Sequence, residues 1–387
     1  MLRTSPASTS MSPVATGCNT KASAFEVLWS RSAEWERRMR MVREASQFLY
    51  LTLFYLEYDD YGREMLGALL AAQRRGVRVQ LVIDHFGQRL GGVLMTREQR
   101  RGLEATIAEL RAAGARVVFY RPPRWIQRWL AGGHHVKIQV SEAGEALLCS
   151  GNITKSSFDG WNECAVAMRG AVVCAALESC REIGADVRPE DVAALGTPGG
   201  IELDYWFCNP NHVRGPNTLT DRMVEMVDAA RTSLVITSFY FKPTPVLFDA
   251  VLRAARRGVR VEVFHSHREA LPATDLAWIA AATSYGRLLD AGVHVHENRR
   301  GEHSKIVLVD EAWVAYGSYN FEDAAHDRLA EAMVASRDRV AVDPAIEIVA
   351  ALRVDPDTER VSADTVAAWP DRVRTRVRRY GRFKRWM

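Results

Sequence analysis

Behind Gln47 the chain runs Phe-Leu-Tyr-Leu-Thr-Leu-Phe-Tyr. An unbroken apolar stretch of β-favouring residues predicts a strand over 47–55 that is buried on both faces of a parallel or mixed sheet. Tyr58-Asp59-Asp60-Tyr61-Gly62 then reads as a turn carrying an N-cap, and Gly76 ends the helix predicted over 63–75. A strand follows over 77–84, a helix over 96–113 and a strand over 116–120. This βαβαβ order predicts an α/β sheet. Upstream, Phe25, Leu28, Trp35, Met39 and Met41 fall among charges and predict an amphipathic helix over 24–45.

The plan then repeats. Strands are predicted over 234–240 and 259–264, with a helix over 244–257 that Gly258 stops. The letters repeat as well: Ala-Gln-Arg-Arg-Gly-Val-Arg-Val at 72–79 against Ala-Ala-Arg-Arg-Gly-Val-Arg-Val at 254–261. Self-similarity at this scale predicts two like domains. We place them at 23–188 and 216–345, joined by a linker over 189–215 where Gly199-Gly200, Asn209-Pro210 and Gly215-Pro216 cluster as turn formers. Residues 1–22, rich in Ser, Thr, Pro and Ala, are expected as a disordered leader, and 346–387 as a basic C-terminal extension.

The chemistry is written twice in the same register. His135, Lys137, Glu142, Ser150, Asn152 and Glu163 recur as His303, Lys305, Asp310, Ser318, Asn320 and Glu331. In each copy Lys lies two residues after His, Ser fifteen, Asn seventeen and Glu twenty-eight. Strands are expected over 135–140 and 303–309, so that each His and its Lys share one face. Lys supplies charge, Asn and Ser supply neutral donors, and His supplies reactivity, a set suited to a phosphate ester. Only six of the 51 basic residues are lysine, and two of those six stand at the His-x-Lys positions. A compact ammonium fits beside a reacting phosphorus where a guanidinium fork would not.

The duplicated motif resembles the phospholipase D superfamily, whose signature is His-x-Lys-x4-Asp followed by Gly-Ser-x-Asn and a carboxylate. The second copy matches in full, whereas the first has Glu142 in place of Asp and Cys149 in place of Gly. The flanks, Tyr55-x4-Asp60-x-Gly62 and Ser238-Phe239-Tyr240-Phe241-x-Pro243, resemble bacterial cardiolipin synthases and related phosphatidyltransferases over residues 45–335. The resemblance implies an α/β fold of two similar α/β/α domains related by pseudo-twofold symmetry, with the active site at their interface. It implies His135 as nucleophile and His303 as acid and base, with Lys137, Lys305, Asn152 and Asn320 on the phosphate. Glu163 would then orient His135 and Glu331 would orient His303, while Glu142, Ser150, Asp310 and Ser318 give support. It implies no cofactor and no metal. Hydrolysis of phospholipids to phosphatidic acid, or cleavage of a nucleic-acid phosphodiester, are the alternatives within the superfamily.

Composition adds limits. The sequence has 48% hydrophobic and 25% charged residues with a formal net charge of +4, as a globular protein does. It holds no apolar run long enough to span a bilayer. Six cysteines show no zinc-type spacing, and no His or carboxylate cluster has metal-ligand spacing. Trp125 and Trp129 alternate with arginines over 121–130, and basic and aromatic residues interleave over 372–387. Both stretches suit a lipid interface. The expected partners are therefore an anionic phospholipid substrate and a membrane surface rather than nucleic acid. The expected location is cytoplasmic, peripheral to the inner face of the cell membrane.

Overall fold

The computed structural model describes residues 18–195, 199–212 and 216–381. Residues 1–17 of the expected leader, and the tail past 381, lie outside the described residues. The first half comprises β1 (Cys18–Leu28), α1 (Arg31–Glu44), β2 (Phe48–Leu53), α2 (Asp60–Arg74), β3 (Arg78–Asp84) and α3 (His85–Leu94). It continues with α4 (Arg97–Ala112), β4 (Arg116–Tyr120), α5 (Trp125–Trp129), β5 (Gly133–His134) and β6 (Ile138–Ser141). It closes with β7 (Glu145–Cys149), β8 (Ala165–Gly170), α6 (Val172–Glu182) and α7 (Pro189–Ala193).

The second half opens with β9 (Ile201–Cys208), α8 (Thr218–Ala229), β10 (Ser233–Thr237), α9 (Pro245–Arg256) and β11 (Arg260–Ser266). Next come α10 (Leu276–Ala282), α11 (Tyr285–Asp290), β12 (His294–Asn298), β13 (Ile306–Val309) and β14 (Trp313–Gly317). Last are α12 (Asp323–Asp327), β15 (Leu329–Ser336), α13 (Arg339–Val354), β16 (Thr358–Val361), α14 (Ala363–Ala367) and α15 (Asp371–Tyr380).

The strands make one sheet in the order β16, β12, β11, β10, β13, β14, β15, β9, β1, β8, β7, β6, β2, β3, β4. Apart from the added edge strand β16, the order mirrors itself about the antiparallel pair β9 and β1. Each half has the same two parallel ladders, β2 with β3 and β4 in one, β10 with β11 and β12 in the other. These are the strands that the continuous apolar runs predict. On one side of the sheet a single core spans both halves, with α6 and α13 packed on it. The opposite side holds two separate cores, one under α1, α2 and α4, the other under α8 and α9.

Four expectations are corrected. The helix over 24–45 is instead β1 followed by α1, because Ser30 breaks the run and caps α1, its Oγ accepting from Ala33 N at 3.4 Å. That same strand takes in residues 18–22 of the expected leader. The expected linker 189–215 contains α7 and β9, and β9 pairs with both β1 and β15 at the middle of the sheet. The C-terminal extension is not separate either. Residues 346–354 complete α13 on the shared core, and β16 joins β12.

Candidate active site

His135-Val136-Lys137 and His303-Ser304-Lys305 do not lie within strands as expected. They occupy the extended links just before β6 and β13, where each segment runs against the other half. His135 N donates to Ala330 O at 2.8 Å and His303 N donates to Asn162 O at 2.8 Å. Each motif is therefore anchored by backbone bonds to the opposite half, which brings the two sets together.

The glutamates cross in the same way, and this overturns the pairing that the resemblance implied. His135 Nδ1 lies 3.1 Å from Glu331 Oε1 and 2.9 Å from Ser318 O. His303 Nδ1 lies 2.8 Å from Glu163 Oε2. Each imidazole thus takes its Nδ1 partner from the other copy. The serines serve the glutamates rather than a phosphate. Ser150 Oγ donates to Glu163 Oε2 at 2.5 Å, and Ser318 Oγ donates to Glu331 Oε2. They also accept from Cys164 N at 2.8 Å and Ala332 N at 3.0 Å, which fixes the hydroxyl rotor.

Both lysines are buried, and each Nζ donates to the carbonyl of its own histidine, at 2.8 Å for Lys137 and 2.5 Å for Lys305. Burial, then the facing Lys305 ammonium, brings Lys137 down to about 7. Burial likewise lowers Lys305 to about 8 against the pull of Glu163 and Glu331. His135 is held well below its ordinary value by burial, then by Lys137 and Lys305, which keeps the imidazole neutral. Burial also lowers His303, to about 4, although Glu163 works the other way.

The two carboxyls differ. Burial opposes charge on Glu163, but His303, Lys305 and Ser150 outweigh it and hold the group down at about 2. Burial wins at Glu331 and pushes it up to about 8. The surroundings thus push the two carboxyls in opposite directions, Glu163 toward the ionised form and Glu331 away from it.

Aromatic rings wall the histidines. Phe54 stands edge-on to His135 with centroids 4.9 Å apart, Phe239 edge-on to His303 at 4.5 Å, and Trp161 stacks on His303 at 5.1 Å. A cleft of about 580 Å³ opens onto His135, apolar at Phe54, Leu90 and Trp129 and polar at Tyr240, Asn320 and Glu322. Asn152 and Asn320 are both buried, with Asn152 Oδ1 accepting from Tyr55 N at 3.3 Å. The sequence reading missed Glu322, whose carboxylate pairs with Lys242 at 3.0 Å, and Glu302 beside His303. Burial pushes Glu302 up to about 7. Lys242, one of six lysines in an arginine-rich chain, was the available signal.

Glu142 and Asp310 stand away from the histidines and tie down turns. Asp310 accepts from the backbone N–H groups of Arg231, Thr232 and Ser233, and Glu142 from those of Ser46 and Phe48. The longer Glu therefore does the same work in the first copy. At the other departure, a Cβ on Gly317 would meet Ala332 O at 2.2 Å, whereas Cys149 packs beside Leu147, Ala165 and Ala167.

The expectation of no metal-ligand cluster needs one correction. The register of β11 and β12 sets Glu262 against His294, and with His296 the three offer ligand atoms within 4.8 Å of one another. Glu262 is already bound by Arg353, through Nε at 3.2 Å and Nη2 at 2.5 Å.

Two crossed His-x-Lys sets on one mirrored sheet define a phospholipase D-type enzyme. Residues 39–181 and 223–353 match the family described as cardiolipin synthase, PLD-like domain, and the chain belongs to it. The protein is 26% identical over 322 residues to cardiolipin synthase B of Escherichia coli K12, covering 78% of this chain and 73% of that one. It is 23% identical over 324 residues to the cardiolipin synthase of Geobacillus kaustophilus, covering 78% of this chain and 60% of that one. The fold is also that of the phosphatidylserine synthase of Haemophilus influenzae, with a TM-score of 0.73, 16% identity and coverage of 95% and 96% of the two chains.

Proposed function

We propose that the protein is a phosphatidyltransferase of cardiolipin-synthase type, moving a phosphatidyl group to a lipid hydroxyl through a phosphohistidine. The observation that carries this reading is the crossed set of imidazoles, ammoniums and glutamates, with His135 opening onto a cleft that is apolar at Phe54, Leu90 and Trp129. A phosphodiester anion would lie between Lys137 and Lys305, with Asn152 and Asn320 as neutral donors. His135 Nε2 attacks phosphorus, the P–O bond to the leaving alcohol breaks, and a proton from His303 Nε2 goes to that oxygen. In the second step the acceptor hydroxyl gives its proton to His303 and its oxygen to phosphorus, and the N–P bond to His135 breaks.

The ionised Glu163 favours His303 as the group that carries the proton, since imidazolium is stabilised beside a carboxylate. The bound phosphodiester adds a second negative charge in support. Apolar cleft walls and the cardiolipin synthases among the relatives support an anionic phospholipid as donor, at the inner face of the cell membrane. No helix among the described residues is long and apolar enough to cross a membrane, so the proposed association is peripheral.

The test is mass spectrometry of lipids after incubating purified protein with phosphatidylglycerol vesicles, beside a His135→Ala sample. Cardiolipin and glycerol, absent with the variant, are expected. Phosphatidic acid alone would replace this reading with hydrolysis.

A further inference from the structure

Helix α3 is built inside out. It reads His-Phe-Gly-Gln-Arg-Leu-Gly-Gly-Val-Leu, and the face it lays on the protein is glycine: Gly87 and Gly91 are buried. A Cβ on Gly87 would sit 2.3 Å from Phe54 O, and one on Gly91 2.5 Å from the Tyr55 ring. With its small residues turned inward, the helix turns apolar ones outward, Leu90 at 47% exposure and Val93 at 72%. A surface helix in water is arranged the other way round, with its apolar stripe on the core.

The short helix α5 does the same with larger side chains. Trp125 and Trp129, one turn apart, are 74% and 78% exposed. Among the described residues eight large apolar side chains are exposed, and four of them stand on these two helices. The helices are neighbours: Leu90 and Trp129 line the same cleft that reaches His135, and Arg121 Nη2 lies 3.5 Å from His85 Nδ1.

Charge surrounds this apolar group. Arg89, Arg121 and Arg128 are exposed beside it, and Arg124 is partly so. Arg128 donates to the carbonyls of Pro122 and Pro123, so its positive charge is not neutralised by those bonds. Burial, then the Arg121 and Arg89 charges, holds His85 below its ordinary value, as a positive local potential requires. Tryptophan and aliphatic side chains ringed by arginine match the boundary between acyl chains and anionic head groups.

We propose that α3 and α5 form one docking face for an anionic phospholipid bilayer, with Leu90, Val93, Trp125 and Trp129 entering the acyl region at the mouth of the cleft. The proposal rests on the lipid-substrate reading above and adds an orientation to it. The mouth opens toward the bilayer, and a lipid reaches His135 along the apolar walls without its chains passing through water.

The test is flotation of the full chain with vesicles of phosphatidylcholine alone, or of equal phosphatidylcholine and phosphatidylglycerol. The wild type is expected to float with the anionic vesicles. Val93→Ser/Trp125→Ser removes two apolar anchors that do not line the cleft, and should weaken that binding by about tenfold or more. Cleavage of dissolved bis(4-nitrophenyl) phosphate should be unchanged, which also reports an intact fold. Arg121→Gln/Arg124→Gln should weaken binding to anionic vesicles only. His135→Ala should float as the wild type does, so docking that persists without any transfer by the wild type would uphold this face while removing the transferase reading. A wild type that stays with the soluble fraction, or a Val93→Ser/Trp125→Ser protein that floats equally well, would overturn the proposal.

Discussion

Glu331 reaches His135 from the opposite half of the chain, Oε1 to Nδ1 at 3.1 Å, and Glu163 returns the contact to His303 at 2.8 Å. Neither half therefore holds a histidine together with its own orienting carboxylate.

This crossing can be separated kinetically. Glu163→Gln and Glu331→Gln should each lower kcat by about 100-fold on a phospholipid. A 4-nitrophenyl ester has a leaving group that needs no proton. With it, Glu163→Gln should recover most of the rate of phosphohistidine formation, as His303→Ala should, and Glu331→Gln should not. Recovery by Glu331→Gln instead would mean that the two roles are exchanged.

The lysines predict an alkaline limit. Lys137 and Lys305, lowered to about 7 and about 8, carry charge below those values and lose it as pH rises through them. The phosphate cradle weakens accordingly, so kcat/KM should fall from about pH 7, by up to about tenfold per pH unit as Lys137 loses its proton and more steeply above about pH 8 as Lys305 follows. A bound phosphodiester favours the ammoniums, so the limb in kcat should lie at higher pH than the limb in kcat/KM. Coincident limbs would assign the titration to another group.

Gly87→Ala tests the closeness of α3 to the site. Its Cβ would strike Phe54, whose ring stands against His135. The expected outcome is a loss of about 1–3 kcal/mol of stability by denaturant titration, with a drop in kcat. Gly92→Ala, which meets no atom within 4 Å, is the control and should leave kcat unchanged while raising stability by about 0.5–1 kcal/mol through helix propensity.

Arg38 is fully buried and pairs with buried Glu34 at 2.9 Å. Glu34→Ala strands that guanidinium and should cost about 3–5 kcal/mol of unfolding free energy. The double replacement Glu34→Leu/Arg38→Met should recover much of the loss. A double variant no more stable than Glu34→Ala would show that the polar groups themselves hold α1 in place.

The motif residues were legible because their spacing repeats, and β2, α2, β3, α4 and β4 because period and caps agree locally. What escaped lies between distant segments. Nothing near Glu163 states that its imidazole will be His303 rather than His135; that follows only from how the halves meet. The end of β1 from Ala24 to Leu28 reads as helix because Phe25 and Leu28 sit three apart among polar residues, as they would on a helical face, while the partners of the strand, β8 and β9, are far away in sequence. Helix α3 escaped for a different reason, since Gly87, Gly91 and Gly92 lower helix propensity and only the close packing against Phe54 and Tyr55 explains them.

The pairing of β1 with β9, from Cys18 opposite Tyr205 to Ala22 opposite Ile201, joins the halves through the backbone as well as through side chains. A hinge at this line would have to tear a ladder at the centre of the sheet and split the core that α6 and α13 share. The catalytic frame therefore cannot open like a clamshell between turnovers. Reactants and products must instead pass through the cleft that opens onto His135, and neither half expressed by itself should assemble a working centre.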